Sequence, residues 1–256
     1  MEIRILGAHN IESSKTSFAS FLIDDVLAVD ASALTSNLSF AEQQKLKAVL
    51  LTHQHHDHVR DVPALGMNFY MHGNTITIYS TRFVYNALAA HLLNDIIYPN
   101  FMEKPPEKPA LHFNIIEPGK NIMIDGYTVL PVAVNHAVPT IGYQITSSDG
   151  KKVFITSDTG PDLAECWRRV APHVLLIELT LQNKDEEFAL QAGHLTPALL
   201  LKEMASFRTL KGYLPQIVLT HLNPLDEKEI KAEINQVEKA LNTKIRFGYE
   251  GMKINI

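Results

Sequence analysis

Residues 49–59 read VLLTHQHHDHV, an apolar run that ends in four histidines and one aspartate within six positions. Few folds tolerate this. Imidazoles so close repel one another once protonated, or compete with the carboxylate for few hydrogen bonds. A bound metal removes the conflict, because neutral imidazole and carboxylate are among its preferred ligands. Val49-Leu50-Leu51 reads as a buried strand. Extended geometry just past its end puts His53 and His55 on one side. Asp57 and His58 fall where the chain turns into the next element and can face a second ion. His56 lies between these positions and faces away, in a supporting or surface role. The segment is internal and mixed in composition, so it does not read as an expression tag.

The H-x-H-x-D-H pattern of His53, His55, Asp57 and His58 resembles the signature of the metallo-β-lactamase-fold hydrolases. That fold implies three more ligands, each at the end of a different strand. Val132-Ala133-Val134-Asn135-His136 offers the first, Val153–Gly160 offers Asp158, and Ile217-Val218-Leu219-Thr220-His221 offers the last. Each is an apolar, β-branched run that ends in a ligand type, as when buried strands deliver chemistry at one sheet edge. Singly, each has an ordinary reading: a loop histidine, a turn aspartate before Gly160, a helix-flanking histidine. Together they occur in the order the family requires. The resemblance implies that His53, His55 and His136 bind one divalent ion. It gives Asp57, His58 and His221 to a second, with Asp158 as the bridge. Two ions roughly 3.5–4 Å apart can share one hydroxide and clamp the oxygens of an in-line displacement. All donors are N or O, which suits zinc, with manganese or iron as alternatives.

A chain of 256 residues fits one large domain, and we expect a single α/β domain over 1–256, a four-layer αββα metallo-β-lactamase sandwich. The formal charge of -5 gives no broad basic field for long nucleic acid. One cysteine, Cys166, excludes an internal disulfide and suits a reducing compartment. It is expected to pack in a helix. No apolar run approaches membrane-spanning length and Met1–Gly7 starts as a strand, so a cytoplasmic location is expected.

Hydropathy patterning gives strands alternating with helices. Strands are expected at Ile3–Leu6, Phe18–Ile23, Val26–Val29, Ile76–Tyr79, Asn121–Ile124, Tyr127–Val134, Ile141–Thr146, Val153–Thr156, Val174–Leu179, Lys244–Phe247 and Met252–Ile256. Asp24-Asp25, Asp125-Gly126 and Asp149-Gly150 are the turns. Helices are expected over Phe40–Leu46, Arg82–Leu93, Thr196–Phe207 and Asp226–Leu241. In the second of these, Val84, Leu88, His91 and Leu92 share a face. No repeat of solenoid period appears. Proline-rich Tyr98–Pro109 reads as a loop near the mouth of the site.

The fold alone does not name a substrate. Glu178 ends the strand before Leu179-Thr180, and His194 precedes Leu195-Thr196-Pro197, a helix start. The pair resembles the glutamate and histidine of the phosphodiesterase branch, which includes RNase Z and the cyclic-nucleotide phosphodiesterases. There the histidine protonates the leaving oxygen and the glutamate orients it. An alkoxide departs slowly without such help. The stretch Phe18–His58, with His91–Asn94, Tyr98–Phe101, Asn135–Pro139 and Ser157–Pro161, resembles the bacterial cyclic-nucleotide phosphodiesterase-like members. The basic, Gly/Pro-rich arm expected of RNase Z is missing. Many relatives have a glycine-rich turn after the first strand. Here Gly7–Ser14 carries Glu12, which disfavours phosphate contact, while Ser13, Ser14 and Ser17 can donate hydrogen bonds.

These features imply a dinuclear metallohydrolase of a small phosphodiester such as a 3′,5′-cyclic nucleotide. Asp57, Glu178 and His194 are the catalytic candidates, and Phe69, Tyr70, Tyr98 and Phe101 are candidates for base stacking. The alternatives are an RNase Z-like RNA 3′-end endonuclease, a thioester or lactam hydrolase, and a non-catalytic metal-binding protein. A homodimer fits the resemblance, but no apolar helix stripe marks its interface.

Overall fold

Short aspartate turns set the register of the sheets. Asp24 and Asp25 take left-handed φ values of 47° and 60°, and Asp125-Gly126 takes 46° and 87° in the two-residue hairpin that pairs Ile124 with Tyr127. The computed structural model describes residues 1–256. Its strands are β1 (Glu2–Gly7), β2 (Ser20–Ile23), β3 (Leu27–Val29), β4 (Ala48–Leu50), β5 (Ile76–Ser80), β6 (Leu111–Ile115), β7 (Ile122–Ile124), β8 (Tyr127–Val134), β9 (Thr140–Thr146), β10 (Lys152–Ile155), β11 (Val174–Glu178), β12 (Gln216–Thr220), β13 (Ile245–Phe247) and β14 (Lys253–Asn255). They form two seven-stranded mixed sheets, ordered β14-β1-β2-β3-β4-β5-β6 and β13-β12-β11-β10-β9-β8-β7. The chain divides into two compact units along the same line. Met1–Gly7, Ser17–Glu117 and Glu250–Asn255 form the first, and Ala8–Thr16, Pro118–Tyr249 and Ile256 form the second. Mixed sheets with flanking helices are the α/β organisation expected.

In the first unit β3, β4, β5 and β6 run parallel. Every residue of β2, β3 and β4 is buried, which is why these strands read as continuous apolar runs. One row across β2 to β5, Leu22, Ala28, Val49 and Ile78, packs with Leu65 and Phe69 of helix Val62–Met71 and with Val84 and Leu88. Neither that helix nor β6 stands out in the sequence. The helix carries Pro63, Gly66 and Asn68, and β6 is broken by His112 and Asn114. The helix expected over Phe40–Leu46 stops at Gln43.

Three expectations are corrected here. The helix from Arg82 becomes a π-helical turn over Leu88–Leu92. The wider turn slips the phase, so His91 is exposed and Leu93 is buried in its place. Tyr98–Pro109 does not lie at the mouth of the site. It runs into the start of β6, where Ala110 O accepts from Ile76 N and Leu111 N donates to Phe101 O. That is the amino-terminal edge of the parallel strands, and His53 lies past the carboxyl end of β4. Phe69 and Tyr70 close helix Val62–Met71 near the same remote edge, with Tyr70 and Tyr98 packed on Phe101 at ring separations of 5.4 and 6.0 Å. Base stacking over the histidines is thereby withdrawn from all four aromatics.

In the second unit β10 to β13 run parallel. Strand β8 shares their direction, since both it and β10 pair antiparallel with β9. Trp167 centres the core, edge-on to Phe154 at 6.2 Å and to Phe207 at 5.3 Å. Cys166 is buried beside it in helix Ala164–Arg169, and burial pushes its thiol well above the ordinary range. Glu203 of helix Pro197–Lys211 accepts from Trp167 Nε1 at 2.8 Å and from Asp162 N at 2.8 Å, tying that helix to the loop after Asp158. No helix is long and apolar enough to cross a membrane.

Candidate metal centre and acid pair

Every metal-ligand and catalytic candidate expected from the sequence lies at or past the carboxyl end of a strand, or in the loop before helix Pro197–Lys211. Such edges collect ligands in open α/β sheets, because loops there are free to vary on a fixed scaffold. In the first unit the organising residue is Asp30, just past β3. It is 1 % exposed and takes φ 59°. One carboxylate oxygen accepts from Thr52 N and Thr52 Oγ1, both at 2.9 Å, and the other accepts from His58 Nδ1 at 2.7 Å. Burial raises the Asp30 carboxyl above its ordinary range, and His58 and Thr52 oppose that shift.

These bonds fix which ring nitrogens carry protons. The Thr52 hydroxyl gives its hydrogen to Asp30, so it accepts from His53 Nδ1 at 3.1 Å. His53 and His58 are thus Nδ1–H tautomers with their Nε2 lone pairs turned away from Asp30. His53 Nε2 lies 3.0 Å from His55 Nδ1, and His58 Nε2 lies 3.6 Å from an Asp57 oxygen. His53, His55, Asp57 and His58 therefore converge, as the spacing of the segment suggests. His56 is exposed, edge-on to Phe18 at 6.4 Å.

The second unit repeats this scheme. His136, past β8, donates from Nδ1 to Gly193 O at 2.9 Å. His221, past β12, has φ 55° and its Nδ1 lies 2.7 Å from Thr180 Oγ1. Asp158 follows Ser157, whose φ is 59°. Its two oxygens face different histidines, Oδ2 at 3.8 Å from His136 Nε2 and Oδ1 at 3.4 Å from His221 Nε2. A carboxylate shared between two ions needs that disposition. Asp30, Ser157 and His221 all occupy the left-handed region, which is costly for residues with a Cβ and recurs where function fixes the backbone.

Glu178 ends β11 and is buried. Its Oε1 accepts from His194 Nδ1 at 3.1 Å, Leu195 N at 3.0 Å and Thr159 N at 3.3 Å, and its Oε2 accepts from Thr180 Oγ1 at 2.9 Å. The His194 side chain is 16 % exposed against 0 % for Glu178. The buried Glu178 carboxylate thus holds His194 by Nδ1–H, and Nε2 is the ring nitrogen on the far side from it.

The donors suit divalent ions. They are carboxylates and five imidazoles, of which His53, His58, His136 and His221 have Nδ1 engaged by Thr52, Asp30, Gly193 and Thr180. Outer hydrogen bonds of that kind aim histidine ligands at a metal. Asp30, Thr52 and Thr180 do not stand out as site residues in the sequence. For Asp30 the signal was the one used elsewhere, an apolar run (Leu27-Ala28-Val29) ending in a polar residue. The turn Gly7–Ser14 is shaped by its own packing. A Cβ on Gly7 would sit 1.9 Å from Phe18 O, so close backbone approach accounts for that glycine. Ser13 Oγ pairs with Thr16 Oγ1 at 2.9 Å inside the turn.

Comparison with known proteins agrees with this architecture. Residues 20–222 match the family described as Beta-lactamase superfamily domain, and the chain belongs to that family. It is similar to 3′,5′-cyclic-nucleotide phosphodiesterase 1 of Saccharomyces cerevisiae, 24 % identical over 230 residues, which covers 77 % of this chain and 62 % of that protein. The chain spans about three-fifths of the length of the curated relatives it matches. Its fold is that of unliganded yeast PDE1, with a TM-score of 0.86 at 18 % identity over 100 % of this chain and 99 % of the other. Short-form human tRNase Z shares it with a TM-score of 0.68 at 17 % identity, over 100 % and 99 % of the two chains. The fold and the donor set support binding of divalent metal ions.

Proposed function

We propose that the protein is a metal-dependent phosphodiesterase acting on a small phosphodiester such as a 3′,5′-cyclic nucleotide. The observation that carries this reading is the Glu178–His194 pair at 3.1 Å, on the strand edge that also presents His136, Asp158 and His221. Likeness to the yeast cyclic-nucleotide phosphodiesterase supports the substrate class. We assign His53, His55 and His136 to one divalent ion and Asp57, His58 and His221 to a second, with Asp158 between them and zinc as the metal. When bound, the two ions activate water as a nucleophile and neutralise charge on the phosphoryl oxygens.

The chain's own residues do the rest. Asp57 accepts a proton from the attacking water. His194, protonated and held through Nδ1 by the Glu178 anion, gives its Nε2 proton to the leaving ribose oxygen. An alkoxide is a poor leaving group without that proton, and a positioned acid contributes about 10²–10⁴-fold. His194→Ala therefore lowers zinc-loaded turnover of 3′,5′-cyclic AMP by about two orders of magnitude or more. Bis-p-nitrophenyl phosphate is affected far less, because nitrophenolate leaves unaided. Equal losses on both substrates would remove the acid role from His194. An RNA substrate is the second reading, favoured by the shared fold of tRNase Z. Cleavage of precursor RNA with no cyclic-nucleotide turnover would select it.

A further inference from the structure

The reaction proposed above gives roles to Glu178 and His194 and none to Thr180. We propose that Thr180 is a positioning residue whose hydroxyl couples the leaving-group acid to the ligand histidine His221. The inference rests on that proposed reaction for its catalytic part and on hydrogen-bond geometry for the rest. Thr180 is 4 % exposed. Its Oγ1 lies 2.7 Å from His221 Nδ1, 2.9 Å from Glu178 Oε2 and 3.5 Å from His194 Nδ1. A hydroxyl has one hydrogen to give and two lone pairs to receive. Two groups that can only accept face that hydrogen, Glu178 Oε2 at 2.9 Å and the backbone carbonyl of His221 at 3.1 Å, and the nearer, the carboxylate, takes the larger share. His221 Nδ1 must then be the donor to the hydroxyl.

The resulting chain has one polarity. His221 Nδ1–H points to Thr180, the Thr180 hydroxyl points to Glu178, and His194 Nδ1–H points to the same carboxylate from the other side. Glu178, His194 and His221 offer ligand atoms within 4.8 Å of one another, a spacing that by itself would suit a cation. The hydroxyl sits among them and joins them by hydrogen bonds instead. Glu178 thus orients two imidazoles at once, one for the proton and one for the metal. His136 makes a second tie, because Nδ1 binds the carbonyl of Gly193, the residue before His194.

The test replaces Thr180 by Val, which keeps the shape and removes the hydroxyl, and by Ser, which restores it. Three readouts are taken. They are imidazole tautomers from long-range 1H–15N NMR of the metal-depleted protein, zinc affinity by chelator competition, and turnover of 3′,5′-cyclic AMP against bis-p-nitrophenyl phosphate. With valine, His221 loses its Nδ1–H preference, zinc affinity falls about 10–100-fold, and cyclic AMP turnover falls at least tenfold more than nitrophenyl ester turnover. Serine restores all three. An unchanged His221 tautomer with unchanged zinc affinity in folded T180V overturns the proposal. So do equal losses on both substrates that serine fails to rescue. Thr180→Ala takes the place of valine if valine unfolds the chain. Wild-type protein that hydrolyses neither diester overturns the reaction instead, while the tautomer and zinc readouts still decide the role of Thr180.

Discussion

At the scale of single residues, the ligand histidines depend on what holds their far nitrogens. Asp30 carries the largest share in its unit, as one buried carboxylate that serves Thr52 and His58 together. Asp30→Asn isolates this role. Asparagine tolerates the left-handed backbone but replaces an accepting oxygen with a donating NH₂, which faces either the Thr52 donors or His58 Nδ1–H. The cost is expected at about 1–3 kcal/mol, read as the shift in urea unfolding of the metal-depleted protein. Zinc affinity should fall about tenfold or more in the same variant. The exposed neighbour His56 provides the control, with His56→Ala expected within about 0.5 kcal/mol of wild type and unaltered in zinc binding. An Asp30→Asn protein as stable and as zinc-avid as wild type would end this account. The histidines were legible because each follows an apolar run. Thr52 and Thr180 were not, because a threonine at a strand end is ordinary until its partners are known.

At the scale of elements, a few local devices decide boundaries and angles. Ser39 caps helix Phe40–Gln43 in a reciprocal box with Glu42, and Ser39→Ala should cost about 1 kcal/mol in thermal or urea unfolding. Hydrogen bonds from Ser39 hold the Glu42 carboxyl down at about 2 against its ordinary 4.5. A depressed carboxyl contributes stability above its unfolded value and loses it as pH falls through the folded one. The penalty of Ser39→Ala should therefore be full at pH 7 and shrink between about pH 4.5 and pH 2. A penalty constant across that window would deny the box. Gly193 makes a sharper case. Its φ is 73°, and a Cβ there would lie 2.8 Å from Ala137 N and 3.0 Å from His136 Cα. Gly193→Ala should cost about 1–3 kcal/mol in unfolding free energy and displace both His136 and His194. Zinc affinity and cyclic AMP turnover should then drop together, and retention of both would show that the crossing tolerates bulk. Most strands were legible from alternation or from unbroken apolar runs. The π turn at Leu88–Leu92 was not, since a phase slip is set by packing of Leu88 and Leu93.

At the scale of the whole molecule, metal binding should be a large stabilising term. Ions that bind the folded chain alone add RT ln(1 + [L]/Kd), or about 4 kcal/mol at a thousandfold excess over Kd. Chelator treatment should lower the melting temperature by several degrees, and zinc should restore it. His55→Ala should lose most of that zinc-dependent increment. Equal melting temperatures with and without zinc would count against a metal held by folded protein. The partition of the chain is visible only at this scale. Strand β14 pairs with β1 across nearly the whole sequence, as Glu2 opposite Asn255. Residues Ala8–Thr16 leave the first unit to join the second, with His9 bridged to Leu222.

The sequence by itself determined the donor types, their order and their placement at strand ends. Those are local facts, carried by an apolar run and the residue that stops it. It also determined the α/β class, through the alternation of such runs with helical periods. Only the tertiary structure decided what each imidazole leans on, because the acceptors come from far along the chain. Asp30 is 28 residues from His58, Thr180 is 41 from His221, and Gly193 is 57 from His136. It also sent Tyr98–Pro109 to the far edge of its sheet. Strand direction assigns each loop to an edge, and direction is a property of pairing between segments that no single segment contains.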